Sequence, residues 1–296
     1  MATMTREEAH ERELRLQAAA IDTLLSAQGI QAWIAARRHH RSRSVRNQLL
    51  IVAQMPQARF AFTFRQWLRH GYCVSKGEKA SYIWQPKGRR TTDGRLIKPS
   101  DPTPNEPTRQ FFGLAAVFGE HQVAPLEEFD GERLDLQGLA EPLDVTGEQC
   151  AIHIGPLTAF AADRGFTLTY PSDECGRAGG FFRPATLEIH VRAHGHANAD
   201  FRTLVHELCH GLLHAHERFE NITLSYAAEE MVVETATRLA CASVGLDLAF
   251  ISDAYAAWWA ASGDLSAAEL TAHATTIDRL ARMIEDVLHL TEDPLS

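Results

Sequence analysis

The chain has 296 residues, 45% of them hydrophobic and 23% charged, and a formal net charge of −9. That length allows one large or two ordinary domains, and the composition is that of a globular protein, not of a disordered or fibrous one. No apolar run approaches the roughly 18 residues of a membrane span, and five cysteines without a CxxC pair exclude a disulfide frame.

The net charge conceals a division. Residues 1–128 carry 19 Lys+Arg against 12 Asp+Glu, a net of +7, whereas residues 129–296 carry 10 against 26, a net of −16. Between Arg37 and Lys98 the count is 15 basic to 2 acidic. Such asymmetry points to a nucleic-acid-facing first half and a separate acidic domain.

In chain order, residues 5–28 read as an opening helix, with Leu14, Ala20, Ile21 and Leu24 among its apolar residues and Gly29 as its stop. The first residues hold no apolar stretch of the kind that forms a signal peptide, so a cytoplasmic location is expected. "AARRHHRSRSVRNQ" follows, too polar and basic for a core, and "NQLLIVAQM" reads as a short buried helix ended by Pro56. In "TFRQWLRHG", Thr63 caps a short helix with Phe64 and Trp67 on one face, closed by Gly71. "GYCVSKGEKASYIWQP" has the pattern of a hairpin turning at "SKGEK". Residues 86–107, rich in Pro, Gly and charge, are expected to form a mobile excursion before the strand-like "QFFGLAAVFGEHQV". A linker is expected in "PLEEFDGERLDLQGLAEP".

The second half reads as a helix over about 149–164, the strand "FTLTY", a Gly-rich turn "GRAGG" and the strand "TLEIHV". Helices follow: one from about Ala199, "YAAEEMVVETATRLACASVG", an aromatic one around Tyr255–Trp259, and a long last one opened by a capping box, Ser266 with Glu269. The expected class is α+β, as two domains: residues 1–128 and residues 145–296.

"VHELCHGLLHAH" carries the chemistry. In a helix His206 and His210, four apart, turn ring nitrogens toward one ion, and Glu207 stands beside them as a base for a metal-activated water. His216 has the spacing of the HExxHxxGxxH pattern, but that pattern needs glycine where Leu213 stands, and on a continuing helix His216 would face about 120° away from His210. The third ligand is then sought in "EEMVVE". Glu230 as ligand with Glu234 bonding a ligand imidazole is the preferred register, and Glu229 is the alternative. The plan resembles that of gluzincins. The implied cofactor is one divalent ion, Zn2+ ahead of Mn2+. Cys209, inside the motif, reads as a small buried hydrophobe. His214 continues the stripe, either lining the cleft or lying on the helix surface.

The basic half interleaves cations with aromatics, as single-strand binders do. Arg37, Arg38, Arg41, Arg43, Arg46, Lys76, Lys79 and the platform Trp84 are the candidate contacts, with most other aromatics assigned to the core. No zinc-finger, RRM or helix-turn-helix pattern is present, so weak sequence preference is expected.

"NQLLIVAQ…FTFRQWLRHGYCVSKGEKASYIW", "VFGEHQ", "LVHELCHGLLH" and "YAAEEMVVE", in this order, resemble ArdC-type antirestriction proteins over nearly the whole chain. The segment before Asn47, "HHRSRSVR", departs from that pattern. The resemblance implies an N-terminal domain that binds single-stranded DNA, a C-terminal zincin-like metallopeptidase domain, and protection of incoming conjugative plasmid DNA from host restriction. The alternative is a site-specific zinc metallopeptidase, with a protein substrate, that its basic half localises to DNA. No membrane partner is expected.

Overall fold

In the computed structural model, residues 6–92, 94–97, 108–136, 143–216, 219, 222–246, 248 and 266–288 are described. The aromatic helix expected around Tyr255–Trp259 and part of the expected linker lie outside them. The first helices are α1 (Arg6–Leu24), α2 (Ala27–Arg37) and α3 (Val45–Gln54). The break between α1 and α2 falls at Leu25 and Ser26, four residues before the expected stop, because Ser26 caps α2 by accepting from the Gly29 amide. Gly29 therefore sits in the first turn of α2, not at the end of α1. A Cβ there would lie 2.1 Å from the Thr23 carbonyl oxygen, so the tight helix-to-helix junction requires glycine.

Next come β1 (Ala61–Phe62), α4 (Phe64–Arg69), β2 (Tyr72–Val74), β3 (Ser81–Thr91), β4 (Leu96–Ile97), β5 (Thr108–Gly119) and β6 (Val123–Pro125). The capping box of Thr63 and Gln66 starts α4, as the sequence suggests. Trp67 is buried, but Phe64 is largely exposed, so the two do not share a buried face. One antiparallel sheet has the order β1-β5-β3-β4, and β2 pairs separately with β6. The expected hairpin at "SKGEK" is therefore corrected: its two arms enter different sheets. The Gln122 amide fastens the connecting turn by donating to the Glu78 carboxylate and the Lys79 carbonyl. Residues 86–91, expected in a mobile excursion, continue β3, whose pairing with β5 runs out to Thr91 opposite Thr108.

Helix α3 lies along the outer edge of β3 and closes it. Asn47 exchanges hydrogen bonds with the backbone N–H and carbonyl of Trp84, and Gln54 does the same with Tyr82. Residues seven apart on a helix share a face, and residues two apart on a strand expose their edge groups on one side. Two side-chain amides thus satisfy four strand groups that would otherwise invite further pairing.

The acidic half contains α5 (Ala151–Asp163), β7 (Thr167–Thr169), β8 (Gly180–Arg183), β9 (Glu188–Val191), α6 (Ala197–Ala215), α7 (Tyr226–Ser243) and α8 (Ala267–Val287). The sheet has the order β7-β9-β8, with β7 parallel and β8 antiparallel to β9. The pattern reading found β7 and β9 but took the start of β8 for the end of a turn. Leu204, Val205, Leu208 and Leu212 are buried on α6, each contributing roughly 1.5–3 kcal/mol relative to exposure. The capping box of Ser266 and Glu269 opens α8.

The class is α+β, with sheets and helices in both halves. The hydrophobic core runs without interruption from Leu24, Trp33 and Leu50 to Leu208, Ala236 and Ile284. Helix α8 packs against α1, α3, α5, α6 and α7, so the last helix of the chain seals the first ones. Among the described residues, no helix is long and apolar enough to cross a membrane.

Candidate metal centre and nucleic-acid surface

Helices α6 and α7 pack together with their titratable stripes facing. The α6 stripe is Arg202, His206, His210 and His214, four residues apart, and α7 answers with Glu234, Glu230 and Glu229 in the reverse order. His206 Nε2 lies 3.9 Å from Glu230 Oε2 and His210 Nε2 lies 3.5 Å from Glu230 Oε1. Both distances are too long for good hydrogen bonds. They suit three donors around a shared ion at about 2.0–2.2 Å from each, for which tetrahedral donors stand about 3.4 Å apart. His206, His210 and Glu230 offer ligand atoms all within 4.8 Å of one another.

The other ring nitrogens face the remaining carboxylates. His210 Nδ1 is 2.9 Å from Glu229 Oε1, and His214 Nε2 is 2.8 Å from the same oxygen. His206 Nδ1 is 3.4 Å from Glu234 Oε2 and lacks hydrogen-bond geometry to it. Arg202 and Arg238 hold Glu234 from either side. Burial pushes the Glu234 carboxyl up, but His206 and the two arginines outweigh that and hold it at about 2. Glu229 is also held below the ordinary range: burial acts upward, and the hydrogen bonds to His210 and His214 prevail. Both carboxylates are thus ionised at neutral pH and fitted to orient the imidazoles. Burial, with His206 close by, lowers His210, which favours the neutral ring a metal needs.

Glu207 projects beside His206 and is 7% exposed. Burial raises its carboxyl to about 7, against the downward pull of His206, the range suited to proton transfer at neutral pH. Strand β8 passes directly over it. A Cβ on Gly180 would lie 2.9 Å from Glu207 Cγ and 2.7 Å from the His190 carbonyl oxygen, so this crossing admits only glycine. Cys209 is fully buried on α6 and its thiol is raised to about 12 by burial, as expected of a core residue. His216 ends α6 and belongs to neither of the two metal-compatible groups found among the described residues.

Several partners escaped the sequence reading. Arg202 had a signal, lying four residues before His206. Arg238 had the matching signal, four residues after Glu234. Glu229 was weighed only as a ligand, although His210 and His214, four apart, could both reach one carboxylate. Tyr226, four residues before Glu230 and 78% exposed, is raised by the Glu230 charge and its hydrogen bond to that carboxylate.

The candidate DNA contacts separate into two sets. Arg37 is corrected: its side chain is fully buried, with Nε 2.8 Å from Asp278 Oδ1 and Nη1 2.7 Å from Glu285 Oε1. Arg41 reaches Glu285 at 2.7 Å and also pairs with Asp286, with 14% of its side chain exposed. Arg43 donates to the Ala61 carbonyl, and Arg38 donates to His39. Arg37 and Arg41 fasten this segment onto α8, and Arg43 fastens it onto β1. The segment judged too polar for a core thus contributes buried Arg37, His40, Asn47 and Gln48. Arg46, Lys76 and Lys79 are exposed. The Arg46 guanidinium lies over the Trp84 ring, 4.5 Å from its centroid, and Arg12 lies over Tyr82 at 4.8 Å. Trp33 and Trp67 are core residues, each donating its indole N–H internally.

Residues 25–118 match the family model described as the N-terminal domain of anti-restriction factor ArdC. No curated protein matches the chain's sequence. Among solved structures, the chain is similar to the antirestriction protein ArdC of the R388 plasmid. The metal-free crystal structure of that protein aligns with a TM-score of 0.52 and 23% identity, over 84% of this chain and 85% of that one. Its Mn(II)-bound crystal structure aligns with a TM-score of 0.49 and 22% identity, over 84% of each. The first of these likenesses shows a shared fold.

Proposed function

We propose that this chain, which carries the N-terminal domain of ArdC and shares the ArdC fold, is a single-stranded DNA-binding antirestriction protein with a metal-dependent peptidase-like centre. The observation that carries the reading is the presence, in one chain, of the matched domain and the convergence of His206 Nε2, His210 Nε2 and the Glu230 carboxylate. In this reading the protein coats single-stranded DNA entering a cell on a conjugative plasmid, in the cytoplasm, and protects it from restriction.

His206, His210 and Glu230 would hold one divalent ion, Zn2+ ahead of Mn2+, since two imidazoles and a carboxylate suit either. When bound, the ion supplies Lewis-acid activation of a carbonyl and of water. Glu207 accepts the proton of the attacking water and returns it to the leaving amine. Glu234 and Glu229 fix the rings of His206 and His210 so that Nε2 of each faces the ligand point. Arg46, Lys76 and Lys79 attract the strand, and Trp84 offers a face for stacking.

A plasmid-transfer assay tests the whole reading. Expression of the wild-type chain should raise transfer into a restricting recipient and leave transfer into a non-restricting one unchanged; equal transfer with and without the chain contradicts it. Glu207→Gln, with metal content unchanged, separates the two activities. Loss of protection assigns antirestriction to peptidase chemistry, and retention assigns it to DNA binding.

A further inference from the structure

The β3–β5 ribbon continues past the point where the core stops. Ser81 and Ile83 on β3 and Ala115 and Val117 on β5 are buried, but Lys87, Arg89, Arg90, Arg109, Gln110 and Phe112 further out are exposed. The seven residues from Trp84 to Thr91 advance about 23 Å at roughly 3.3 Å each. Beyond the core the ribbon is joined by the short β4, at Arg89 and Arg90, and its exposed side chains call for an explanation other than core packing.

Three observations bear on what it meets. First, its described residues include Lys87, Arg89, Arg90, Arg95 and Arg109 and no carboxylate; Asp93, Asp101 and Glu106 lie outside the described residues. Second, Arg89 stands opposite Gln110, and alternation along β5 puts that pair on the same face as Phe112. Third, the register places Tyr82, Trp84 and Pro86 opposite Ala116, Leu114 and Phe112. Alternation puts these six on one face, so Phe112, 55% exposed, continues the aromatic row begun by Tyr82 and Trp84. The first two rings already lie under guanidinium groups.

We propose that this arm extends the path of a bound single strand, with Phe112 as a third stacking platform and Arg89, on the same face, holding a phosphate. The inference rests on the reading of the first half as a single-strand binder. A duplex, its bases already stacked, would leave the aromatic row unused.

The test uses the full-length protein with labelled oligo-dT of about 6 and about 16 nucleotides, within the range of single-strand site sizes. Phe112→Ala should weaken the longer oligomer roughly 5- to 150-fold, the loss of one stacked base, and leave the shorter one bound as before; Phe112→Tyr should restore the affinity. Arg89→Ala should reduce the salt slope for the longer oligomer by about 0.7, the share of one phosphate. If the wild type binds neither oligomer, the single-strand reading falls and takes the arm with it. If Trp84→Ala weakens both oligomers while the arm variants change neither, the arm alone is refuted. Equal weakening of duplex and single-strand binding by Phe112→Ala also refutes it, in favour of a simple charge contact. Unchanged thermal unfolding of the exposed-residue variants excludes misfolding as the cause.

Discussion

Arg37 and Glu234 are both charged, both enclosed, and both held by two oppositely charged groups. Around Arg37 stand the carboxylates of Asp278 and Glu285, which in turn meet Arg282 and Arg41. Around Glu234, Arg202 and Arg238 fix one side while the other faces His206, whose second nitrogen points on toward Glu230. The first cluster joins the start of the chain to its end. The second transmits order to an outward-facing group. A run of charge in a sequence therefore says little until its counter-charges are located. The acidic half supplies part of the counter-charge of the basic half through α8.

The comparison breaks most visibly at Arg37. Arg37→Ala removes the guanidinium that meets both Asp278 and Glu285, leaving Glu285 to Arg41 and Asp278 to Arg282, and breaking a buried pair costs up to about 3–5 kcal/mol. Urea unfolding measures it; a loss below about 1 kcal/mol would mean that the cluster does not join the halves. Arg37→Lys should recover only part of the loss, because one ammonium cannot reproduce the planar group that meets Asp278 through Nε and Glu285 through Nη1. A fragment ending near residue 128 would lose the same partners, so binding studies belong with the whole chain.

Trp84 sharpens the other side of the contrast. Trp84→Ala should lower affinity for oligo-dT by about 1–3 kcal/mol with the salt slope unchanged, since stacking releases no counterions. Arg37→Gln, read by the same anisotropy titration on folded protein, should leave that slope unchanged, because a buried guanidinium meets no phosphate. A slope reduced by about 0.7 in Arg37→Gln would return Arg37 to the DNA surface.

A smaller effect comes from His40, 1% exposed within the same basic segment. Burial, with Arg43 and His39 adding, lowers its ring from 6.5 to about 3. The folded chain keeps it neutral while the unfolded chain takes up a proton below 6.5. Its contribution to stability is therefore complete above pH 6.5 and lost as pH falls toward 3, at about 1.4 kcal/mol per unit. Unfolding of wild type and His40→Asn at pH 7, 6 and 5 should give a difference that shifts by this amount per unit below 6.5; a difference independent of pH would show His40 to be accessible to protons.

What the sequence disclosed follows from the range of the interactions. His206, Glu207 and His210 lie within five residues on one helix, so spacing alone places them together. The cap at Thr63 and the capping box at Ser266 are equally local and both formed. The choice between Glu229 and Glu230 depends on how α7 is rotated against α6, which no local pattern fixes. Arg37 read as a solvated or DNA-facing charge because its partners lie 241 and 248 residues away. The "SKGEK" hairpin failed for a related reason: β2 has its partner in β6, some fifty residues on, and the turn alone looks the same either way.

The proposed assignment has Glu230 complete the ion site while Glu229 and Glu234 orient its imidazoles. Zinc per chain, measured by elemental analysis after equilibration and desalting of wild type, Glu230→Ala, Glu229→Ala and Glu234→Ala, tests it most directly. About one ion per chain is expected in the wild type and none in Glu230→Ala. Glu229→Ala and Glu234→Ala should fill at saturating zinc with affinity about 10- to 100-fold weaker. A full site in Glu230→Ala beside an empty one in Glu229→Ala, or a wild type that takes up no zinc, would contradict the account.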